Sequence, residues 1–182
     1  LWYSLASEGK IYHPFRLVIS LKSKVSTIVV SPGFWPLNCK KEINNDRALL
    51  IFNNDTYFKS IRLKSRLLSM RNQKIDGILG IFNSKDPKYS FVEIDNDDKV
   101  IRTKEKKVIS NFASTGMYIF SKGSDFIKSA EYAIEKNILT KNEFYISELY
   151  NILIKEGKKI TVDVADEFVA LGTPEDIKKF EA

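Results

Sequence analysis

Apolar and polar positions along this chain follow two periods, one of two residues and one of three to four. Ala48-Leu49-Leu50-Ile51-Phe52 is an unbroken apolar run, which predicts a strand buried on both faces of a sheet. Asp76 to Phe82 and Gly116 to Phe120 read as two further strands. Tyr89 to Ile94 and Lys99 to Thr103 predict a hairpin, because the turn formers Asp95-Asn96-Asp97-Asp98 separate two β-forming runs. Behind Ser124, the predicted N-cap, Phe126, Ile127, Ala130, Ala133 and Ile134 keep the helical period. A second helix is predicted from about Glu143 to Lys155, with Ile146, Leu149, Tyr150, Leu153 and Ile154 on one stripe and Gly157 as its stop. Lys159 to Val164 alternates as a strand does. Thr173 then caps a last helix, with Pro174 in its first position and Glu175 and Asp176 at its positive end. Strands mixed with helices and one hairpin predict an α/β layer fold with a mixed sheet.

The first forty residues have a different texture. Arg16 to Leu21 and Ser26 to Val30 read as strands, and Ser31-Pro32-Gly33 as a turn. Both tryptophans (Trp2, Trp35), the single histidine, the single cysteine and three of the five prolines (Pro14, Pro32, Pro36) lie within residues 1–41. We expect a boundary there: residues 1–38 as an atypical N-terminal segment, less ordered than the rest, and residues 39–182 as one packed unit.

Composition narrows the chemistry. With 182 residues, 43% hydrophobic and 29% charged, the chain suits one globular domain. One cysteine, Cys39, excludes an internal disulfide and a cysteine-built zinc site; one histidine, His13, argues against histidine metal clusters and triads. Cys39 reads as a small apolar residue and His13 as a loop residue. The most apolar stretch, Phe15 to Val30, is broken by Arg16, Lys22 and Lys24, so no membrane span is expected and a cytoplasmic location is the default. The net charge of +6 invites a nucleic-acid partner, but 22 of the 23 acidic residues follow position 41 and interleave with lysines there, as on a solvated surface. We therefore expect no nucleic-acid binding.

Four places can carry chemistry. Asp55 follows a buried strand, where open α/β folds put ligand-binding groups, and a carboxylate there can hold Mg²⁺; it can equally be a loop aspartate that caps the next segment. Glu105-Lys106 closes the predicted hairpin; on an extended chain the two point to opposite sides, one toward a ligand and one anchoring the loop, or both belong to the solvated cluster Lys104 to Lys107. Ala113-Ser114-Thr115-Gly116 puts small residues just before a strand, which suits close approach of a ligand, plain packing or a bulge. Glu143 and Tyr145 offer partners to sugar hydroxyls, or are a first-turn glutamate and a core-edge tyrosine.

Taken in order, these segments are more specific than any one of them. Asn53-Asn54-Asp55, Asp86-Pro87-Lys88-Tyr89-Ser90-Phe91-Val92, Glu105-Lys106, Ile109-Ser110 with Ala113 to Phe120, Gly123-Ser124-Asp125-Phe126, Asn142 to Ile146, Gly157-Lys158-Lys159-Ile160 and Leu171 to Asp176 follow one another as in the sugar-phosphate nucleotidyltransferase family. The chain resembles that family from about Lys40 onward, most closely the branch of capsule and surface-polysaccharide gene sets. The resemblance implies a Rossmann-like, glycosyltransferase-A-like fold and the reaction NTP + sugar 1-phosphate → NDP-sugar + pyrophosphate. It implies Mg²⁺ on Asp55, Lys106 as the catalytic cation on the sugar phosphate, and Ser90, Glu105, Thr115, Gly116 and Glu143 around the sugar.

Two positions depart from the family. Many members carry a second metal-binding aspartate where this chain has Ala170, so a second ligand is expected from elsewhere, with Asp166 the candidate, or is absent. The family's Gly-x-Gly-x-Arg loop and following Pro-Lys-Pro, which cradle the NTP phosphates, have no counterpart in residues 1–38. We expect that much of the family's N-terminal half is missing or replaced, through a shifted reading frame or a deletion, and that the chain alone is inactive. The alternatives are a truncated relative that keeps a sugar-phosphate-binding half, and an interaction module with no enzymatic role. The sequence leaves the base, the sugar, a complementing chain and the oligomer open.

Overall fold

The computed structural model describes residues 10–12, 17–19, 25–30 and 40–181. In chain order the elements are β1 (Lys10–Tyr12), β2 (Leu17–Ile19), β3 (Val25–Val30), α1 (Lys40–Ile43), β4 (Ala48–Asn53), β5 (Thr56–Lys59), α2 (Leu63–Asn72), β6 (Gly77–Asn83), β7 (Ser90–Ile94), β8 (Val100–Glu105), β9 (Phe112–Phe120), α3 (Gly123–Glu135), α4 (Ile146–Lys155), β10 (Ile160–Val164), β11 (Glu167–Ala170) and α5 (Pro174–Glu181). The central sheet runs β10-β6-β9-β4-β3, with β10 parallel to β6, β4 parallel to β3, and β9 antiparallel to both its neighbours. The β7–β8 hairpin hangs from β9 through Phe91 opposite Ala113. Two small antiparallel pairs, β1–β2 and β5–β11, complete the structure.

Strand periodicity explains the layers. Leu49 and Ile51 of β4, Leu79 and Ile81 of β6 and Tyr118 and Phe120 of β9 face one side, where they bury Phe126, Ile127, Ala130 and Ala133 of α3 and Leu149, Tyr150 and Leu153 of α4. Phe52, Ile78, Met117 and Ile119 face the other, under Leu63, Leu67 and Met70 of α2. The result is the mixed α/β sheet flanked by helices that the pattern predicts. Residues 1–9, 13–16, 20–24, 31–39 and 182 lie outside the described residues, and with them His13, Cys39 and the predicted turn at Ser31-Pro32-Gly33. The expected boundary at 38 also falls there. On its N-terminal side β3 is hydrogen-bonded to β4 along Val25↔Ala48 to Val30↔Asn53, so the central sheet includes residues before Lys40.

Helix ends follow local chemistry in three of four cases. Gly157, at φ +82°, closes α4 in a Schellman motif: its N–H reaches Ile154 O and that of Lys158 reaches Leu153 O, each at 3.0 Å. Thr173 and Asp176 cap α5 reciprocally, Asp176 N donating to Thr173 Oγ1 at 3.1 Å and Thr173 N to Asp176 Oδ2 at 3.2 Å. Asn137, at φ +52°, ends α3. Its start differs from the expected Ser124 cap: α3 begins at Gly123, and the backbone carbonyls of Arg47 and Asn45 receive the N–H groups of Gly123 and Ser124 at 2.8 and 3.0 Å. A Cβ at position 123 would lie 2.0 Å from Ile43 O, so only glycine lets α3 start against that loop. The second predicted helix also starts later than expected, at Ile146, which leaves Glu143 to Tyr145 extended ahead of it.

Candidate functional site

At the carboxyl end of β4 the chain opens into a cleft of about 790 Å³. Of the residues singled out in the sequence, Asp55, Ser90, Glu105, Lys106, Thr115, Gly116 and Glu143 line it together with Tyr145, while Ala113 and Asp166 do not. They arrive from the β4–β5 turn, the β7–β8 hairpin, β9 and the segment before α4.

A bulge in β9 forms the back wall. Leu79 pairs with Tyr118 but Ile81 pairs with Ser114, so the single residue Gly80 stands opposite Thr115, Gly116 and Met117. The small residues therefore lie inside β9, which runs from Phe112, rather than ahead of a strand starting at Gly116. Gly116 sits at φ +82°, and a Cβ there would meet the Asn53 side chain at 2.8 Å. A Cβ on Gly80 would lie 2.3 Å from Thr115 Oγ1. Thr56 Oγ1 donates to Thr115 O at 3.1 Å, which ties the bulge to β5.

Glu105 and Lys106 both turn into the cleft. The sequence expectation that they point apart assumed extended backbone, but Lys106 has φ +51°, and that left-handed residue bends the chain after β8. Lys106 Nζ donates to Tyr145 Oη at 2.7 Å and stands over the same ring, 5.0 Å from its centroid. Tyr145 Oη in turn donates to Glu143. The Tyr145 hydrogen bond raises the Lys106 ammonium above its ordinary value, so the cation persists at neutral pH. Burial pushes the Tyr145 phenol up, helped by the Glu143 carboxylate. Beside Lys106, Glu105 is 5% exposed; its carboxylate accepts from Ser90 Oγ, and from Ser147 Oγ at 3.1 Å. Burial raises the Glu105 carboxyl, and the two hydroxyls and Lys106 oppose that rise. Tyr118 of β9, which also lines the cleft, is pushed up to about 12 by burial.

Asp55 occupies the turn between β4 and β5, where Leu171 N donates to its carbonyl at 2.7 Å. Its Oδ1 is buried and has no hydrogen-bond partner among the described residues. A buried carboxylate oxygen with nothing to accept is the donor a hard cation takes, and Mg²⁺ is usually held by one or two carboxylates plus substrate phosphates. The residues thus fit Mg²⁺ on one protein carboxylate. Asp166 does not serve as a second: its Oδ2 accepts Ile61 N–H at 2.8 Å, outside the cleft wall. Ala170 does line the cleft, opposite Thr56 in the β5–β11 ladder. Among the described residues no three His, Cys, Asp or Glu side chains cluster as a metal site.

Sequence reasoning missed Ser147, Tyr118, Phe168 and Asp176. Tyr118, on the cleft wall, and Ser147, buried and bonded to Glu105, fall on a strand and a helix that the pattern identified, but period gives no sign of which polar residue joins a site. Phe168 stacks on Phe82, ring centroids 3.7 Å apart, with Tyr89 edge-on to both.

Comparison with known proteins bears on family and fold. Residues 37–179 match the family model described as nucleotidyl transferase. The chain belongs to that family. Among solved structures, this nucleotidyl transferase chain is similar to the nucleoside-diphosphate-sugar pyrophosphorylase of Vibrio cholerae RC9, with 27% identity and a TM-score of 0.65. That match covers 79% of this chain and 59% of the other. A UDP-glucose pyrophosphorylase complexed with UDP-glucose shares the fold, with a TM-score of 0.65 at 18% identity over 79% of this chain and 57% of that one. The chain thus spans under two thirds of the length of either structure. No curated protein matches it significantly. No helix among the described residues is long and apolar enough to cross a membrane.

Proposed function

We propose that this nucleotidyl transferase chain carries the sugar 1-phosphate side of an NDP-sugar-forming reaction. The observation that carries it is Lys106, a cation fixed by Tyr145 and turned by a left-handed residue into the same cleft as buried Glu105. In that reaction a phosphate oxygen of the sugar 1-phosphate attacks the α-phosphorus of an NTP; the α–β bridge breaks and pyrophosphate leaves with its electron pair. Lys106 offsets phosphate charge, and Glu105 and Glu143 accept sugar hydroxyls. Mg²⁺, when bound, would sit on Asp55 and substrate phosphates and neutralise charge there.

The 182 residues contain no Gly-x-Gly-x-Arg loop to cradle a triphosphate. That observation favours a chain that binds a sugar 1-phosphate better than an NTP and turns over poorly alone. Two measurements test the reading: calorimetric titration with glucose 1-phosphate and with each of the four common NTPs, and pyrophosphate release from the mixtures with Mg²⁺. We expect sugar-phosphate binding that K106A removes, and negligible release. Robust Mg²⁺-dependent turnover lost in Asp55→Ala and Lys106→Ala would overturn the low-activity part. Absence of binding by any sugar 1-phosphate would overturn the substrate.

A further inference from the structure

Glu105 ends β8 as a carboxylate almost wholly out of water, and such a group needs donors for its lone pairs, about two on each oxygen. Oε2 already has two, one from Ser90 Oγ and one from Ser147 Oγ. Ser90 stands opposite Glu105 in the β7–β8 ladder, and Ser147 lies in the first turn of α4. The clamp thus joins the hairpin to the helix. No hydrogen bond among the described residues uses Oε1, and Glu105 lines the cleft.

Resting on the sugar-phosphate reading of the cleft, we propose that Ser90 is the positioning residue of Glu105: its hydroxyl, with that of Ser147, fills Oε2 and leaves Oε1 as the one oxygen that meets the ligand. The sequence resemblance places Ser90 among the residues around the sugar, whereas here its hydroxyl is given to Glu105. A carboxylate with both oxygens free can grip two neighbouring hydroxyls at once. Clamped on Oε2, Glu105 meets the ligand through Oε1 alone, so any hydroxyl it accepts must converge on that one oxygen. The hydroxyls also stabilise the ionised carboxylate against its burial. The other groups that face it are Lys106 after the same strand, Glu148 of α4, whose carboxylate accepts Glu105 N–H at 3.0 Å, Lys104, which pairs with Glu148 at 3.4 Å, and Tyr118 of β9.

The test compares wild type, S90A and S90T. In ligand-free protein carrying ¹³C-labelled glutamate, the Glu105 side-chain carboxyl is followed through a pH titration. We expect its midpoint to rise in S90A and to return in S90T, which keeps a hydroxyl. An unchanged midpoint in S90A overturns the proposal. Calorimetry with glucose 1-phosphate is the second arm: S90A should bind roughly tenfold more weakly, the loss of one hydrogen bond to a charged group, and S90T should retain binding. A shifted midpoint with unaltered binding overturns the ligand-facing half. A shifted midpoint in a protein whose wild type binds no sugar 1-phosphate supports the clamp and overturns the substrate reading instead. Should S90A fail to fold, S147A removes the other donor to Oε2, with the same expected rise and the same overturning result.

Discussion

Single residues here hold conformations or charges that their surroundings impose. Gly116 combines φ +82° with an Asn53 side chain 2.8 Å from any Cβ. Gly116→Ala should therefore cost about 1–3 kcal/mol, read from urea unfolding, and reduce glucose 1-phosphate binding in parallel. Tyr145 anchors the Lys106 cation through its hydroxyl. Y145F should weaken glucose 1-phosphate binding about tenfold with little change in stability, because the ring stays and one hydrogen bond to a charged group goes. Asp163, on β10, is 1% exposed, and among the described residues neither carboxylate oxygen has a hydrogen-bond partner. Burial raises its carboxyl above the ordinary value of 3.8, with the nearby Ser60 hydroxyl, Arg62 and Arg66 pulling the other way. A folded-state value above the unfolded one means that the folded chain holds this proton more tightly. The stabilisation is complete below pH 3.8 and is lost as pH rises through the higher folded-state value. D163N, which cannot ionise, should gain stability relative to wild type across that rise. Parallel unfolding curves for the two proteins at pH 4 and pH 7 would exclude it.

Elements are set by contacts that cross between them. The β9 bulge exists because Gly80 leaves room for Thr115 Oγ1, and Met117 Cβ is only 3.0 Å from where a Cβ at position 80 would lie. Gly80→Ala should push the two strands apart at the bulge, at a cost of about 1–3 kcal/mol by overpacking. Amide exchange near Thr115 and Gly116 should rise more than at Ile119 or Phe120, which lie beyond the bulge; uniform change along β9 would count against this. The pattern identified β4, β6, β9, α3 and α4 because each buries several apolar residues at its own period. It missed α2, where Leu63, Leu67 and Met70 make the contact while Lys64, Ser65 and the apolar Leu68 are exposed, so apolar period and burial do not coincide. It missed β5 and β11 because each is four residues long and finds its partner more than a hundred residues away.

At the scale of the whole molecule, two apolar layers on one mixed sheet hold the cleft walls together. Asp55 comes from the turn after β4, Thr115 from the neighbouring strand β9, Glu105 and Lys106 from the end of the hairpin hung on β9, and Glu143 and Tyr145 from the segment ahead of α4. A ligand that fills such a cleft stabilises the fold by mass action. Glucose 1-phosphate at about a hundred times its dissociation constant should add roughly 2.7 kcal/mol to unfolding, seen as a higher thermal midpoint. K106A should lose that gain.

What the sequence determined by itself was the α/β class, the strongly apolar elements and the kinds of residue that reach the cleft. These depend on local period and on the order of short segments, and both survive in a linear reading. Tertiary structure decided how those residues meet. Ser90 and Ser147 share Glu105 across 15 and 42 residues of chain, and Lys106 finds Tyr145 across 39. Such pairings follow from strand register, from the bulge opposite Gly80 and from a left-handed Lys106, and each of these is fixed by neighbours that lie close only after the sheet has assembled.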